Sequence, residues 1–504
     1  MASPLLLFSQ STYYIDGKVI NSTTSKPVPF ATIKLKNIQL GIYANAEGDF
    51  KLFRNPEFQA DSLIITCIGF KRYSIAFKDL NDKTVNKIFL APVLYGLGEV
   101  KVLASRKKLS SVAIITRAIR NIRKNYPVKP YTFVSYYRDY QKRDGNYINL
   151  NEAIVQTLEN GFSSKSVLNK YRLLDFRKNV DFPRMDITPY YEPVGSRGAN
   201  TSDKIIPNAQ MGDQNGNELF ILMVHDAIRN FNTRSFSFIE NFSQDFIRNH
   251  NFSEPTRVLD NNLLLYKIIF NAKTLILLDS LLVSGAIYIQ PKDYSIHKLE
   301  YSCSYLTKGN GLKKMFNVDI EYGYENLVDS LMCLKYISFN NIFNVEDKND
   351  STYFRILKST RGKYDAAGPT LILDFSNQID PESAAKRKNY EITVGNVKAK
   401  ISDIKVSGTK LFIRLDDSNF KGLKESYAVN VLNLKDINGN SLNKKKKIEL
   451  YQYRELFVQE YNKSLQVKDT CLLQYLPLEQ NCISKYIGDH SYWMNTPENI
   501  KPDK

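Results

Sequence analysis

The chain has 504 residues, enough for three or four domains. Hydrophobic residues make up 43% of it and aromatics 12%, which supplies real cores and excludes disorder as the global state. The formal charge of +17 points to anionic partners such as lipid head groups, lipopolysaccharide phosphates or acidic glycans, and no helix-turn-helix, zinc-finger or RNA-binding motif supports nucleic acid.

Thirty-two tyrosines and 28 phenylalanines against a single tryptophan favour a β-rich architecture. No run reaches the roughly 18 to 20 apolar residues of a membrane helix. Long polar stretches interrupt the series of about ten-residue alternating strands that a membrane barrel needs. The first residues, Leu5-Leu6-Leu7-Phe8-Ser9-Gln10-Ser11-Thr12, read as the tail of a secretory signal without its charged start, against the alternative of a buried strand. No cysteine stands near them to carry a lipoprotein anchor.

From Ile15 to Val102 the pattern is that of short strands. Val19, Ile33, Leu35, Phe50, Leu52, Leu63, Ile65, Ile88 and Leu90 sit in mostly alternating runs, the period-2 signature of half-buried strands. Glu47-Gly48-Asp49 reads as a hairpin turn with positive φ at the glycine, and Pro27 and Pro29 mark a strand entry or edge. With Ile15-Asp16-Gly17-Lys18-Val19, Asp61-Ser62-Leu63-Ile64-Ile65 and Leu97-Gly98-Glu99-Val100, this stretch resembles the carboxypeptidase regulatory-like domain of Bacteroidota. The resemblance implies a periplasmic or surface accessory module that carries no catalysis itself. TonB-dependent transporters often begin with such a module, but no plug or barrel pattern follows here.

Beyond it, Val112, Ile115, Ala118, Ile119, Ile122 and Tyr126 recur at helical spacing, predicting a helix over Ser110 to Asn125 that Pro127 ends. Arg106, Lys107, Lys108, Arg117, Arg120, Arg123 and Lys124 flank its apolar stripe. Such a helix either docks on the following sheet, with its arginines reaching to solvent, or lies on a membrane surface. Asn125-Tyr126-Pro127, Tyr136-Tyr137-Arg138 and Glu152-Ala153 make residues 100–350 loosely similar to a group of Bacteroidota envelope proteins, which brings no known reaction.

Residues 263–345 return to strands, at Leu263 to Phe270, Leu281 to Ile289, Ile296 to Tyr301, Phe316 to Tyr322 and Leu334 to Phe339. Their short connections predict an antiparallel sheet. Gly285 before Ile287-Tyr288-Ile289, with the turn at Lys292-Asp293, looks like the curved sheet of lipoprotein carriers, which implies wrapping of a helix or an acyl chain. Leu219, Leu222, Met223, Ala227 and Phe231 form one apolar face for covering helices. Strand runs at Pro369 to Phe375, Ile401 to Val406, Lys410 to Leu415 and Tyr427 to Val431, spaced as in a sandwich, resemble bacterial Ig-like domains. The lysine run from Lys444 to Lys447 reads as a solvated loop, and Trp493 as packed on the body or available for carbohydrate stacking.

Chemistry-bearing residues are sparse. The histidines His225, His250, His297 and His490 occur singly, without the spacing of a zinc peptidase. No G-x-S-x-G elbow, phosphate loop or dinucleotide fingerprint is present. Asp213 to Glu218 alternates oxygen ligands like a calcium loop but lacks the closing glutamate, and reads as a turn and helix cap. Cys67, Cys303 and Cys333 read as buried thiols, while Cys471 and Cys482 stand close enough in sequence to pair in an oxidising compartment. A carboxylate pair for glycoside hydrolysis is spatial and leaves no local mark.

The expectation is therefore a mainly β, multidomain fold. A signal remnant (1–12) precedes an N-terminal β-sandwich of the carboxypeptidase regulatory-like kind (13–102). A central α+β domain with an antiparallel curved sheet (103–365), an Ig-like β-sandwich (366–452) and a tail packed on the body (453–504) follow. The expected function is a non-catalytic, exported component of the periplasm or outer membrane that binds a glycan, lipid or envelope protein, or an anionic membrane surface. Lipid or lipoprotein handling through the central sheet is the first alternative, and a glycan-active enzyme the second. No catalytic, metal, cofactor or binding residue is marked by the sequence.

Overall fold

The computed structural model describes residues 14–37, 41–54, 56–93, 109–166, 169–178, 218–233, 241–260, 263–273, 281–306, 311–325, 328–347, 349–362, 368–395, 397–416, 427–462 and 478. The signal remnant, the Asp213 to Asn217 part of the calcium-like loop, His490, Cys471, Cys482 and Trp493 lie outside these residues; Glu218, the last residue of that loop, begins a helix. The chain is mainly β and divides into two compact units. One holds the residues up to Phe343 and from Leu450 onward, the other Asn344–Glu449.

The N-terminal module is a β-sandwich. Strands β1 (Tyr14–Asn21), β4 (Asp49–Phe53) and β7 (Asn86–Leu90) form one sheet; β2 (Thr32–Leu35), β3 (Gly41–Tyr43), β5 (Ser62–Thr66) and β6 (Tyr73–Ala76) form the other. All nine alternating apolar residues read from the sequence are in its buried core. The turn at Glu47-Gly48-Asp49 is not a hairpin. It is a corner that carries the chain from one sheet to the other, because β3 pairs with β2 whereas β4 pairs with β1. Asn45 builds the corner by accepting from the amides of Glu47 (2.9 Å) and Asp49 (2.7 Å). Gly48 sits at φ +77°, and a Cβ there would lie 2.6 Å from the Val19 carbonyl oxygen.

The central region begins with α1 (Ser111–Asn125), whose Ser110 cap accepts from the Ala113 amide. Strands β8 (Tyr131–Arg143), β9 (Asn146–Glu159) and β10 (Lys170–Lys178) follow, then the short helices α2 (Glu218–His225) and α3 (Phe246–Asn249). The expected covering helices are there as two short pieces, of eight and four residues. Leu219, Leu222, Met223, Ala227 and Phe231 are nonetheless all buried in one core. Next come β11 (His250–Phe252), β12 (Thr256–Asp260), β13 (Leu263–Ala272), β14 (Leu281–Ile289), β15 (Ile296–Leu306), β16 (Leu312–Glu325) and β17 (Leu331–Glu346).

These strands form one sheet in the order β10-β9-β8-β25-β17-β16-β15-β14-β13-β11, with β12 beside β11 on the edge of β13. The strand in the middle, β25 (Lys447–Asn462), arrives from the end of the chain and pairs antiparallel with β8. The reading of residues 453 onward as a tail therefore gives way at its start, since Tyr453 to Asn462 lie inside a central strand. Several pairs carry β-bulges, which bend and twist a sheet. At Gly285 the sheet needs a bare backbone. A Cβ there would stand 2.4 Å from the Phe270 ring and 2.2 Å from the Glu300 carbonyl oxygen.

One face of the sheet, here called inner, packs against α1, α2 and α3 through Ile114, Ile122, Phe133, Tyr137, Leu222 and Phe246 among others. The outer face carries Val134, Tyr136, Ile154, Tyr336 and Phe457 against the N-terminal module. Being covered on both sides, β8 is buried at every position from Tyr131 to Gln141.

The second unit is again two sheets, β18 (Ile356–Arg361), β19 (Thr370–Phe375), β22 (Ile401–Ser407) and β23 (Lys410–Leu415) in one, and β20 (Tyr390–Val394), β21 (Val397–Lys398) and β24 (Tyr427–Val431) in the other. Leu373, Phe375, Ile392, Leu411 and Ile413 form its core. The one-turn helix α4 (Pro381–Ala384) is capped by Asp380, which accepts from the Ser383 amide at 3.0 Å. In the lysine run, Lys444, Lys446 and Lys447 are exposed, while Lys445 pairs with Glu346 (3.3 Å) over the Tyr353 ring.

Candidate functional site

The outer face of the central sheet holds a dense set of buried ionisable side chains, and the N-terminal module lies over it. Two contacts fix the module. At the first, the Phe30 ring lies 4.9 Å from Tyr336, and Tyr43 stacks on Phe457 at 5.4 Å. The corner residue Glu47 pairs there with Lys142 at 3.0 Å, and Lys142 lies over the Tyr147 ring. At the second, the Gly69 amide donates to the Leu259 carbonyl oxygen at 3.0 Å, and Ile68 packs on the cluster of Leu265, Ala286 and Tyr288.

Around and between these contacts runs a belt of charge. Arg138 pairs with Glu455, which also accepts from the Tyr140 hydroxyl at 3.2 Å. Burial works against the Arg138 cation, but Glu455 and the surrounding tyrosines hold its pKa above the ordinary value. Burial raises the Glu455 carboxyl, with Arg138 pulling it back only in part. Glu152 accepts from the Tyr136 hydroxyl at 2.7 Å and is also raised by burial. Further along, Lys298 pairs with Glu300 (3.1 Å) and reaches Asp319 (3.9 Å). Glu321, the register partner of Lys298, is pushed up to about 8 by burial, then by Asp260, with Lys298 opposing. Cys67 of the module, half-buried beside this belt, is pushed up to about 12 by burial. Chemically the belt ties neighbouring strands of the central sheet together, Arg138 with Glu455 and Lys298 with Glu300, and the Glu47–Lys142 pair reaches across to the module. A buried charge left unmatched costs much more than a matched pair contributes.

The inner face holds two further polar groups. Asp226 accepts from the Tyr322 hydroxyl (2.6 Å) and the Arg229 amide (2.9 Å), and Arg229 donates to Glu159 at 2.6 Å. Burial pushes Asp226 up to about 6. Toward the end of the sheet, Gln141, Asn149, Gln452, Asp139 and Arg454 form a buried ladder, and Arg454 donates to Asn341 at 3.2 Å. Nothing in the sequence pattern marks these residues, because key partners lie far off in the chain, Tyr322 for Asp226 and Gln452 for Gln141.

The described histidines are held in the fold. His225 stacks on Phe339 at 4.1 Å, with its Nδ1 2.6 Å from the Ile221 carbonyl oxygen. His250 lies among Phe246, Phe252 and Phe270, and burial lowers its pKa. His297, pushed down to about 4 by burial, has its Nε2 3.2 Å from the Ser295 hydroxyl. Ser295 also donates to Asp293 at 2.8 Å, so a serine, a histidine and an aspartate share one turn. The order of contacts is wrong for nucleophilic catalysis, since Asp293 holds the serine and not the imidazole. Ser295 is itself fully buried and ties down the turn at Tyr294, whose φ is +62°.

Among the described residues, no group of three or more His, Cys, Asp or Glu side chains is placed to hold a metal ion. No described helix is long and apolar enough to cross a membrane. In the second unit, an open groove of about 430 Å³ is lined by Ile379, Pro381, Ala385, Ile404, Val406 and Ile437, among others.

A family model for the CarboxypepD_reg-like domain matches residues 15–102. The N-terminal module is a domain of that kind. No curated protein matches the chain. Among solved structures, a DUF1329 family protein from Desulfovibrio piger is similar over 46% of this chain and 87% of that one, at 8% identity and a TM-score of 0.22. A LolA superfamily protein from Nitrosomonas europaea is similar over 46% of this chain and 86% of that one, at 8% identity and a TM-score of 0.19. Likenesses this weak carry no statement of function.

Proposed function

We propose that the protein is a non-catalytic binding or scaffold component of the cell envelope, exported to the periplasm or the outer membrane. The observation that carries this reading is the way the N-terminal module is held. Modules on flexible linkers act as spacers. This one is seated on the central sheet by the Phe30–Tyr336 and Tyr43–Phe457 contacts and by the Glu47–Lys142 pair. The buried ionisable groups described above are engaged with one another across neighbouring strands of the sheet. The seated module presents one partner surface, and the second unit, whose two-sheet form fits an Ig-like docking domain, supplies another. Affinity capture of the intact chain from its own envelope, followed by mass spectrometry, tests the proposal. A stoichiometric protein or glycan partner supports it, and turnover of a glycan or peptide by the purified chain overturns it.

A second reading, lipid or lipoprotein handling, draws on the inner face of the sheet. That face is a broad apolar surface closed by short helices rather than long ones, with Leu222, Phe231, Phe246 and Phe270 at the closure. A ligand would enter by displacing α2 or α3. Native mass spectrometry with lipid extraction tests it: a stoichiometric acyl-bearing species supports this reading, and a clean apo mass removes it.

A further inference from the structure

Helix α1 divides its surface between two environments. Ile114, Ile115, Ala118 and Ile122 are buried in the central core and occupy one arc of the helix. The opposite arc carries Arg117, Arg120, Arg123 and Lys124, all exposed. The helix contains no aspartate or glutamate. Arg117 donates to the Tyr294 hydroxyl at 2.7 Å, while Arg120, Arg123 and Lys124 make no ion pair among the described residues. Two apolar side chains frame the stripe. Val112 in the first turn is 45% exposed, and Val128, just past the helix, is 37% exposed. Lys129 continues the charge beyond it. From Val112 to Lys124 the stripe runs about 18 Å at the ordinary helical rise.

The sequence allowed α1 to lie on a membrane by its apolar face. The fold removes that option, because the apolar face is inside the core. We infer instead that the cationic outer arc of α1, flanked by Val112 and Val128, is an adsorption surface for an anionic lipid bilayer. Charge complementarity favours this occupant. Cations on one arc meet a plane of phosphates together, and valines at both ends suit the boundary between head groups and acyl chains. Each Lys or Arg held near an anionic surface contributes about 1 kcal/mol, roughly fivefold in affinity, and salt screens the attraction. Nucleic acid would meet the same cations through its phosphates but offers no apolar layer for the exposed Val112 and Val128. This inference deepens the proposed envelope role and rests on it for the presence of a bilayer. Its test does not, so the two fail separately.

The test is co-sedimentation of the full chain with vesicles of phosphatidylcholine alone or with roughly a quarter phosphatidylglycerol. The expected result is binding to the anionic vesicles only, abolished by about 0.5 M salt. The triple variant R120E/R123E/K124E is expected to bind more than tenfold more weakly while staying folded, with a slightly lowered melting temperature, since these side chains are exposed and Arg123 and Lys124 complement the end of the helix. The control variant K444E/K446E, altered in the exposed lysine run of the second unit, is expected to bind like the parent. Equal binding by the triple variant and the parent, equal weakening by the control, no binding to anionic vesicles, or preference for duplex DNA over them would each overturn the inference.

Discussion

Arg138 of β8 and Glu455 of β25 are direct register partners although 317 positions separate them in the chain, and each is at most 1% exposed. Their contact ties the last described strand of the sheet into its centre, beneath the N-terminal module. Removing one partner leaves the other buried and unmatched. Glu455→Gln or Arg138→Met is expected to destabilise the chain by about 3–5 kcal/mol. The double variant Arg138→Met with Glu455→Leu is expected to recover most of that loss. Urea unfolding of the three variants measures it, and a double variant no better than the singles would show that the pair does more than neutralise itself.

The seat of the module is open to a sharper test. Phe30 is almost wholly buried and meets Tyr336. Phe30→Ala is expected to cost about 3–5 kcal/mol through lost contact and an unfilled cavity. Because Phe30 belongs to the module and Tyr336 to the sheet, the loss should appear as loosened docking. Limited proteolysis is expected to cut the variant faster than the parent. Unchanged cleavage would mean that the Tyr43–Phe457, Glu47–Lys142 and Ile68–Gly69 contacts hold the module without Phe30.

Two carboxyl groups make stability depend on pH in the same direction. Asp226 and Glu321 both have folded-state pKa values raised by burial, to about 6 and about 8. A raised carboxyl binds its proton more tightly when folded. Its contribution is therefore fully present below the unfolded-state value and is lost as pH rises through the folded-state value. Melting temperature is expected to fall between about pH 4 and 6 through Asp226, and between about pH 4.5 and 8 through Glu321. Asp226→Asn is expected to flatten the first window and Glu321→Gln the second. A melting profile that keeps its slope in both variants would assign the dependence elsewhere.

Gly285 answers to packing. Its backbone lies under the Phe270 ring and against the Glu300 carbonyl, so Gly285→Ala forces a shift of a neighbouring strand. The expected cost is about 1–3 kcal/mol. Pairing the change with Phe270→Leu should relieve the ring contact and return part of the loss in the same unfolding measurement.

Much of the fold was legible one element at a time. Alternation placed the module's core at Val19, Ile33, Phe50 and Leu63, and the 3.6-residue period placed α1 to within one residue at its start. These signals are local, since a strand or helix that buries one face writes that face into consecutive residues. The corner at Gly48 was legible as positive φ but not as a change of sheet, because turn chemistry does not name the strand that follows as a partner.

The charge belt shows where local reading stops. Lys298-Leu299-Glu300 and Asp319-Ile320-Glu321 alternate as a half-exposed strand should, and pattern alone puts Lys298, Glu300, Asp319 and Glu321 in water. The folded chain lays the N-terminal module over that face, which turns solvated charges into half-buried or buried, mutually shifted ones. Tyr453 to Glu460 follows the same rule: an apolar-rich segment is a central strand because it lies between β8 and β17, far from it in sequence. Local pattern was enough to place α1 and the module's strands and to say which of their faces are apolar. Which polar faces would be covered was settled only by folding, because burial of charge depends on partners brought together across hundreds of residues.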